Sequence, residues 1–269
     1  MRLSQYLVEG RGKSLTLPQT KKLLQTKHSN ATKKDAYFYR GFQNEDPFKY
    51  VNPADQTRKS ANAQYNYYTM FFSNFPSWSK YPKRDNGLIC STSKDYASDY
   101  GAVHRCYPMN GAPIGVCPED DIWNSFKKLA FSLDDINYII HDILEIAWGS
   151  GADEGENWST LKKQLGAVTA IWQSYHDNKS AVPGTDEDEW KADMNYDFKA
   201  LAPYLKGKQP DFLKYLNDVL APEKHGFKLI KSTGKPIPRV KWGNEVWVDT
   251  PLVMIKEGWF TENGEDALL

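Results

Sequence analysis

Gly87-Leu88-Ile89-Cys90-Ser91-Thr92-Ser93 opens on a glycine, passes through three apolar residues and ends on three hydroxyls. An apolar run bounded in this way reads as a buried strand whose far end carries hydrogen-bonding side chains. Upstream, Ala36-Tyr37-Phe38-Tyr39 reads as an aromatic-rich strand that delivers Arg40 and stops at Gly41. Downstream, Asp95 to Tyr100 predicts a short helix. Arg105-Cys106-Tyr107 and Pro113 to Cys117 predict two more strands, with Asn110-Gly111 turning between them. Strands resume at Phe227-Lys228-Leu229-Ile230 and from Glu245 to Ile255.

Between those strands the pattern changes period. Ile136, Ile139, Ile140, Ile143, Leu144 and Ala147 recur at helical spacing after Ser132, which with Asp135 resembles a capping box. Ser159 can cap a second helix carrying Leu161, Leu165, Val168 and Trp172. A third helix, Asp211 to Leu220, aligns Phe212, Tyr215, Leu216 and Val219. Acidic, glycine-containing stretches at 149–156 and 184–189 read as solvated loops. Nearer the start, Leu17 to Lys27 predicts a short helix with Pro18 in its first turn. Residues 44–84, broken by Pro47, Pro53, Pro76 and Pro82, read as irregular with one helix near Thr57 to Phe72. The expectation is an α+β protein, a strand-rich body interrupted by a mostly helical insertion at about 120–222.

Bulk properties narrow the function classes. The chain has 269 residues, and Lys+Arg and Asp+Glu both total 34, so no global charge draws it to nucleic acid or membrane. Cys90, Cys106 and Cys117 are too few and too odd in number for a disulfide framework, which fits a reduced compartment. No run reaches the ~18 apolar residues of a membrane span, and no secretory h-region follows the start.

The first ten residues, MRLSQYLVEG, place Leu3, Tyr6 and Leu7 on one helical face and end in Leu7-Val8-Glu9-Gly10. This segment resembles the capsid-targeting leaders of T-even-type phage internal head proteins. The resemblance implies cleavage by a prohead protease between Glu9 and Gly10, residence in the virion interior, and delivery into the host cytoplasm. A frayed N-terminal helix of a cytoplasmic protein is the alternative. From Arg2 to Lys34 there are eight Lys/Arg and one acid, Glu9. Residues 1–34 therefore read as a basic leader or arm, either contacting packaged DNA through phosphates or simply solvated.

Three separated patches carry the chemistry: Tyr37-Phe38-Tyr39-Arg40-Gly41, Gly87 to Ser93 followed by Tyr96 and Tyr100, and Gly243-Asn244-Glu245-Val246-Trp247-Val248. Their order and residue types resemble the Arg–Ser-Thr-Ser–Glu class of mono-ADP-ribosyltransferases. The resemblance covers roughly two dozen residues. It implies a split mixed β-sheet core over residues 35–269 and NAD as substrate. Glu245, Ser91 and Arg40 would be the catalytic groups, and Arg40, Gly41, Ser91, Thr92, Ser93, Tyr96 and Tyr100 the NAD-binding ones. Arg40 would grip the pyrophosphate, because a planar guanidinium suits it bidentately. Glu245 would stabilise the oxocarbenium charge that develops as nicotinamide leaves, worth ~3 kcal/mol in preorganised sites. Ser91 would orient Glu245, Thr92 and Ser93 would shape the nicotinamide pocket, and Tyr96, Tyr100 or Trp247 would stack on the ring.

One departure bears on the acceptor. Family members that modify arginine carry a second acid two positions before the catalytic Glu, and here that position is Gly243. A host protein group other than arginine, nucleic acid, or water is then the expected acceptor. Two rival functions remain: a non-enzymatic internal head protein binding a host defence factor or DNA, and an NAD glycohydrolase. Other candidates are weaker. His141 and Glu145 lack a third metal ligand, Cys106 and Cys117 lack zinc spacing, and Glu245 with Asp249 would share one strand rather than face across a cleft. The aromatic–basic stretch Tyr65 to Arg84 reads as base-stacking surface, cleft wall or plain core.

Overall fold

The computed structural model describes residues 12–43, 46–55, 67–127, 129, 133–148, 157–166, 211–240 and 242–268. They form two compact units. One draws on Met1–Ala61, Lys80–Ser125 and Gly226–Leu269, the other on Asn62–Ser79 and Phe126–His225. The expected insertion at 120–222 therefore starts slightly later and also takes in an earlier segment, because the helix there buries its aromatic face among the later helices.

The first unit is built on nine strands: β1 Lys13–Ser14, β2 Phe38–Phe42, β3 Phe48–Val51, β4 Leu88–Ser91, β5 Ala102–Pro108, β6 Pro113–Val116, β7 Lys228–Lys231, β8 Glu245–Val248 and β9 Leu252–Lys256. They pair in the order β1-β3-β9-β5-β2-β4-β8-β6-β7. Every pairing is antiparallel, so the expected mixed sheet is not what forms. Strands of two to seven residues favour the antiparallel ladder, whose perpendicular hydrogen bonds hold slightly better per residue. The sheet narrows at one seam. β2 meets β4 at one pair, Tyr39↔Ser91, whereas β2 and β5 align over five pairs and β4 and β8 over four.

Side-chain alternation divides the core between the faces of the sheet. Leu252 and Met254 of β9 pack with Phe38, Cys90, Cys106 and Val246. Val253 and Ile255 of the same strand pack with Leu24, Tyr107 and Phe260. A strand buried on both sides must be apolar throughout, which explains the unbroken run Leu252-Val253-Met254-Ile255. Helix α1, Leu17–Gln25, starts at a capping box between Thr16 and Gln19 and carries Pro18 in its first turn. Its Leu24 is buried and β1 pairs with β3, so from Gly12 onward the expected arm belongs to the sheet unit. Burying Leu24 is worth about 2 kcal/mol, enough to hold a nine-residue helix that would be marginal alone. The leader, residues 1–10, lies outside the described residues. Helices α3, Lys94–Ser98, and α8, Glu257–Asn263, complete this unit.

The second unit is helical among its described residues: α2 Tyr67–Asn74, α4 Leu133–Trp148, α5 at 158–166, α6 Phe212–Val219 and α7 Pro222–His225. Asn157, rather than the expected Ser159, caps α5 by accepting from the Ser159 and Thr160 N–H groups. Asp211 caps α6, whose Phe212, Tyr215, Leu216 and Val219 are buried as their spacing requires. Phe72 stacks near Trp78 and Phe126 at 4.4 and 5.5 Å, and the Trp78 indole N–H donates to the Leu220 carbonyl. The aromatic rings from Tyr67 to Trp78 are thus buried, the core use among those expected. Among the described residues no helix is long and apolar enough to cross a membrane.

Candidate functional site

Register builds the site. Tyr39 pairs with Ser91, and Ser91 with Glu245, so three side chains from three adjacent strands leave one face at the seam. Arg40, one residue further along β2, starts from the opposite pleat face. The sheet therefore brings Ser91 and Glu245 side by side, while the Arg40 side chain leaves the other face of β2.

The Glu245 carboxylate is buried and ion-paired. Arg84 Nη2 lies 2.7 Å from its Oε1, and the Cys117 thiol donates to the same oxygen at 3.6 Å. Among the described residues neither contact reaches Oε2. Arg84 is 1 % exposed and rests with Cζ 5.4 Å from the centre of the Trp247 ring. That indole is fixed in turn. Its N–H donates to the Pro82 carbonyl, Tyr81 stacks on it, and it covers Gly115, where an added Cβ would come within 2.3 Å of the ring. Fully buried, Trp247 is a platform for Arg84 and does not meet the expectation of a ring that stacks on nicotinamide.

The three hydroxyls do separate jobs. Ser91 Oγ accepts from the Ser93 N–H at 3.0 Å and makes no bond to Glu245, so the expected orienting contact is supplied by Arg84 instead. Thr92 is buried and stitches β4 to β8: its N–H donates to the Asn244 carbonyl, and its Oγ1 accepts from the Asn244 N–H at 2.7 Å. Ser93 caps α3 through the Tyr96 N–H. Gly243 explains its own identity. Its φ is +92°, and a Cβ there would lie 2.5 Å from the Ser93 Cβ. Only glycine fits such a position without strain, so no acidic side chain can occupy it in this fold.

Gly41 also has a packing reason. A Cβ on it would come 2.2 Å from the Ala97 carbonyl oxygen, so α3 lies directly on β2. That contact brings the Tyr100 ring to 5.6 Å from the Arg40 guanidinium carbon. Tyr100 adjoins Tyr96 with ring centres 5.9 Å apart, and the Tyr96 hydroxyl donates to Asp121 Oδ2 at 3.3 Å. Burial first, then the hydrogen bond with Tyr100, pushes the Tyr96 phenol far above its usual range, so it stays protonated and donates. Burial and then the neighbouring Glu245 charge raise the Asp121 carboxyl above the ordinary aspartate value. Burial, reinforced by Glu245, likewise holds the Cys117 thiol protonated.

The resulting group contains two guanidiniums, Arg40 and Arg84, two carboxylates, Glu245 and Asp121, and the hydroxyls of Ser91, Ser93, Tyr96 and Tyr100. Neither Arg84, expected only as the end of the aromatic–basic stretch, nor Asp121 carries a local signal that places it at this site. Arg84 sits in a polar turn, Pro82-Lys83-Arg84-Asp85, and Asp121 ends the acidic run Glu119-Asp120-Asp121, both of which resemble solvated loops. Among the described residues no cluster of three metal-ligating side chains occurs; His141 Nδ1 instead meets the Tyr67 hydroxyl at 3.2 Å. Two carboxylates therefore lie close enough to raise one another's proton affinity, beside the buried Arg84 cation. No protein-family model, curated protein or solved structure matches the chain.

Proposed function

We propose that the chain is an NAD-dependent ADP-ribosyltransferase whose reaction centre is the Ser91–Glu245 pair at the seam. The observation that carries this reading is the cross-strand register that sets Ser91 opposite Glu245 at the seam. In this reading Arg40 binds the pyrophosphate of NAD and Tyr100 lies against the guanidinium as a lateral wall. Glu245 presents Oε2 to a hydroxyl of the nicotinamide ribose and stabilises the oxocarbenium ion as the glycosidic bond breaks. Nicotinamide leaves neutral, because the electrons of that bond cancel the charge on its ring nitrogen. Arg84 keeps the carboxylate aimed, and Thr92 with Asn244 fixes the loop from which it projects.

Incubating the full chain with NAD labelled on the adenosine and with a bacterial lysate tests the reading. Label on a macromolecule together with released nicotinamide supports it, and neither product from the wild-type chain overturns it. Glycohydrolysis is the second reading, favoured by Gly243: a site that cannot place an acid at that position fits water as acceptor. Nicotinamide and free ADP-ribose without labelled macromolecule select it. Packaging and delivery belong to the leader alone, and an N-terminus at Gly10 in protein recovered from virions is the expected mark of that route.

A further inference from the structure

If residue 243 is barred from being acidic, a transferase of this kind still needs a group to accept the proton of the attacking nucleophile. The start of β8 shows where one stands. The Cys117 N–H donates to the Glu245 carbonyl at 2.9 Å, the Glu245 N–H donates to the Glu119 carbonyl at 3.0 Å, and Asn244 Nδ2 donates to the Cys117 carbonyl at 2.7 Å. The segment 117–121 is thereby tied to the start of β8, and its last residue is Asp121. Two donors hold that carboxylate: the Trp123 N–H on Oδ1 at 2.9 Å and the Tyr96 hydroxyl on Oδ2 at 3.3 Å. The groups acting on it from the packed elements are Tyr96 of α3, Glu245 of β8, Arg84 from the turn before β4, and the Cys117 thiol. Asp121 is half-buried.

We propose that Asp121 is the general base of the reaction, the role that the backbone at Gly243 denies to a side chain there. The inference rests on the NAD-cleaving reading above. A nucleophile X–H approaches the anomeric carbon as the nicotinamide nitrogen departs. The new X–C1′ bond forms while the N–C1′ bond breaks, the X–H proton passes to Asp121, and from there it is released to solvent. Acceptors that must lose a proton to attack, such as a hydroxyl, a guanidinium or water, then become usable at neutral pH. The raised affinity of Asp121 for a proton suits this work, and Tyr96 tempers it by donating to the charged form.

The experiment follows nicotinamide release from NAD by the full chain across pH, for wild type, Asp121→Asn, Asp121→Glu and Tyr96→Phe, with a thermal melt of each. Asp121→Asn is expected to lower kcat about 100-fold, leave KM for NAD within about twofold, and erase the acid limb of the pH profile. Asp121→Glu should recover part of the rate. Tyr96→Phe should move the acid limb to higher pH, since the lost donor favoured the ionised carboxylate. An Asp121→Asn rate within about threefold of wild type, or a drop equal at every pH with the limb in place, overturns the proposal. Should Asp121→Asn fail to fold, an unmoved limb in Tyr96→Phe overturns it equally. A wild-type chain that releases no nicotinamide removes the NAD reading and this inference together; an active wild type with an unaffected Asp121→Asn removes this inference alone.

Discussion

Among the described residues of the sheet unit, Arg105 with Glu257 and Arg84 with Glu245 make arginine–glutamate pairs that differ in how they hold the carboxylate. Arg105 reaches Glu257 bidentately, Nε to Oε2 at 2.6 Å and Nη2 to Oε1 at 3.0 Å, and spends Nη1 on Glu265 at 2.8 Å. Its guanidinium also lies 4.1 Å from the Phe260 ring centre. This pair clamps α8 onto β5. Arg84 instead meets one oxygen of Glu245, with a thiol on that same oxygen and a second carboxylate, Asp121, close enough to feel the charge. The bidentate pair reads as structure; the Glu245 pair, with a second carboxylate beside it, is the one to which the proposed chemistry is assigned.

Several variants would break or sharpen that contrast. Glu245→Gln should cost about 100- to 1000-fold in nicotinamide release while the chain still melts cooperatively, because the substitution keeps the shape and removes the charge that meets the oxocarbenium ion. A rate within tenfold of wild type would move Glu245 into the structural class. Arg105→Met should show the reverse pattern: about 1–2 kcal/mol lost in urea unfolding, since half-buried Glu257 loses its main partner and keeps only Lys94, with kcat nearly unchanged.

Arg84→Gln should fall between, lowering kcat about 30-fold, the scale of one charge-assisted hydrogen bond. Combined with Glu245→Gln it should lose no more than Glu245→Gln alone; additive losses would mean that Arg84 acts independently. Gly243→Ala tests the turn that leads into β8. With φ at +92° and the Ser93 Cβ at 2.5 Å, it should cost about 1–3 kcal/mol, read as a lower denaturant midpoint.

The smallest effect concerns acid. Burial alone would raise the Glu257 carboxyl, but hydrogen bonds from Arg105 and then Lys94 hold it below the ordinary value of 4.5. A carboxyl depressed in the folded state contributes stability above its unfolded value and loses it as pH falls through the folded one. Stability should therefore decline as pH drops below about 4.5, and Arg105→Met should flatten that decline.

Much of this layout was readable along the chain. The apolar runs before Arg40 and Ser91, the turn at Asn110-Gly111 and the helical spacing after Asp211 all depend on local chain stiffness and period, and each lies near where the pattern put it. β1 and β3 were not readable, because Lys13–Ser14 and Phe48–Val51 are too short and mixed to signal a strand before β9 offers its edge. Arg84 and Asp121 were hidden for a related reason. A charged residue in a turn looks solvated until the fold shows which carboxylate or hydroxyl it faces.

By itself the order of residues determined the α+β character, the local periodicities and the three patches that end in Arg40, in Ser91 to Ser93 and in Glu245. Those are properties of neighbours within a few positions, set by side-chain volume, backbone freedom and the alternation of polar and apolar groups. Only the tertiary structure decided that Ser91 and Glu245 stand opposite one another, that Arg84 rather than Ser91 grips the carboxylate, and that Asp121 joins them. Register, ion pairing and burial are long-range: they join residues that lie 154 and 161 apart in one case and the other, from 91 to 245 and from 84 to 245, and no local rule specifies which distant charge will share a low-dielectric site.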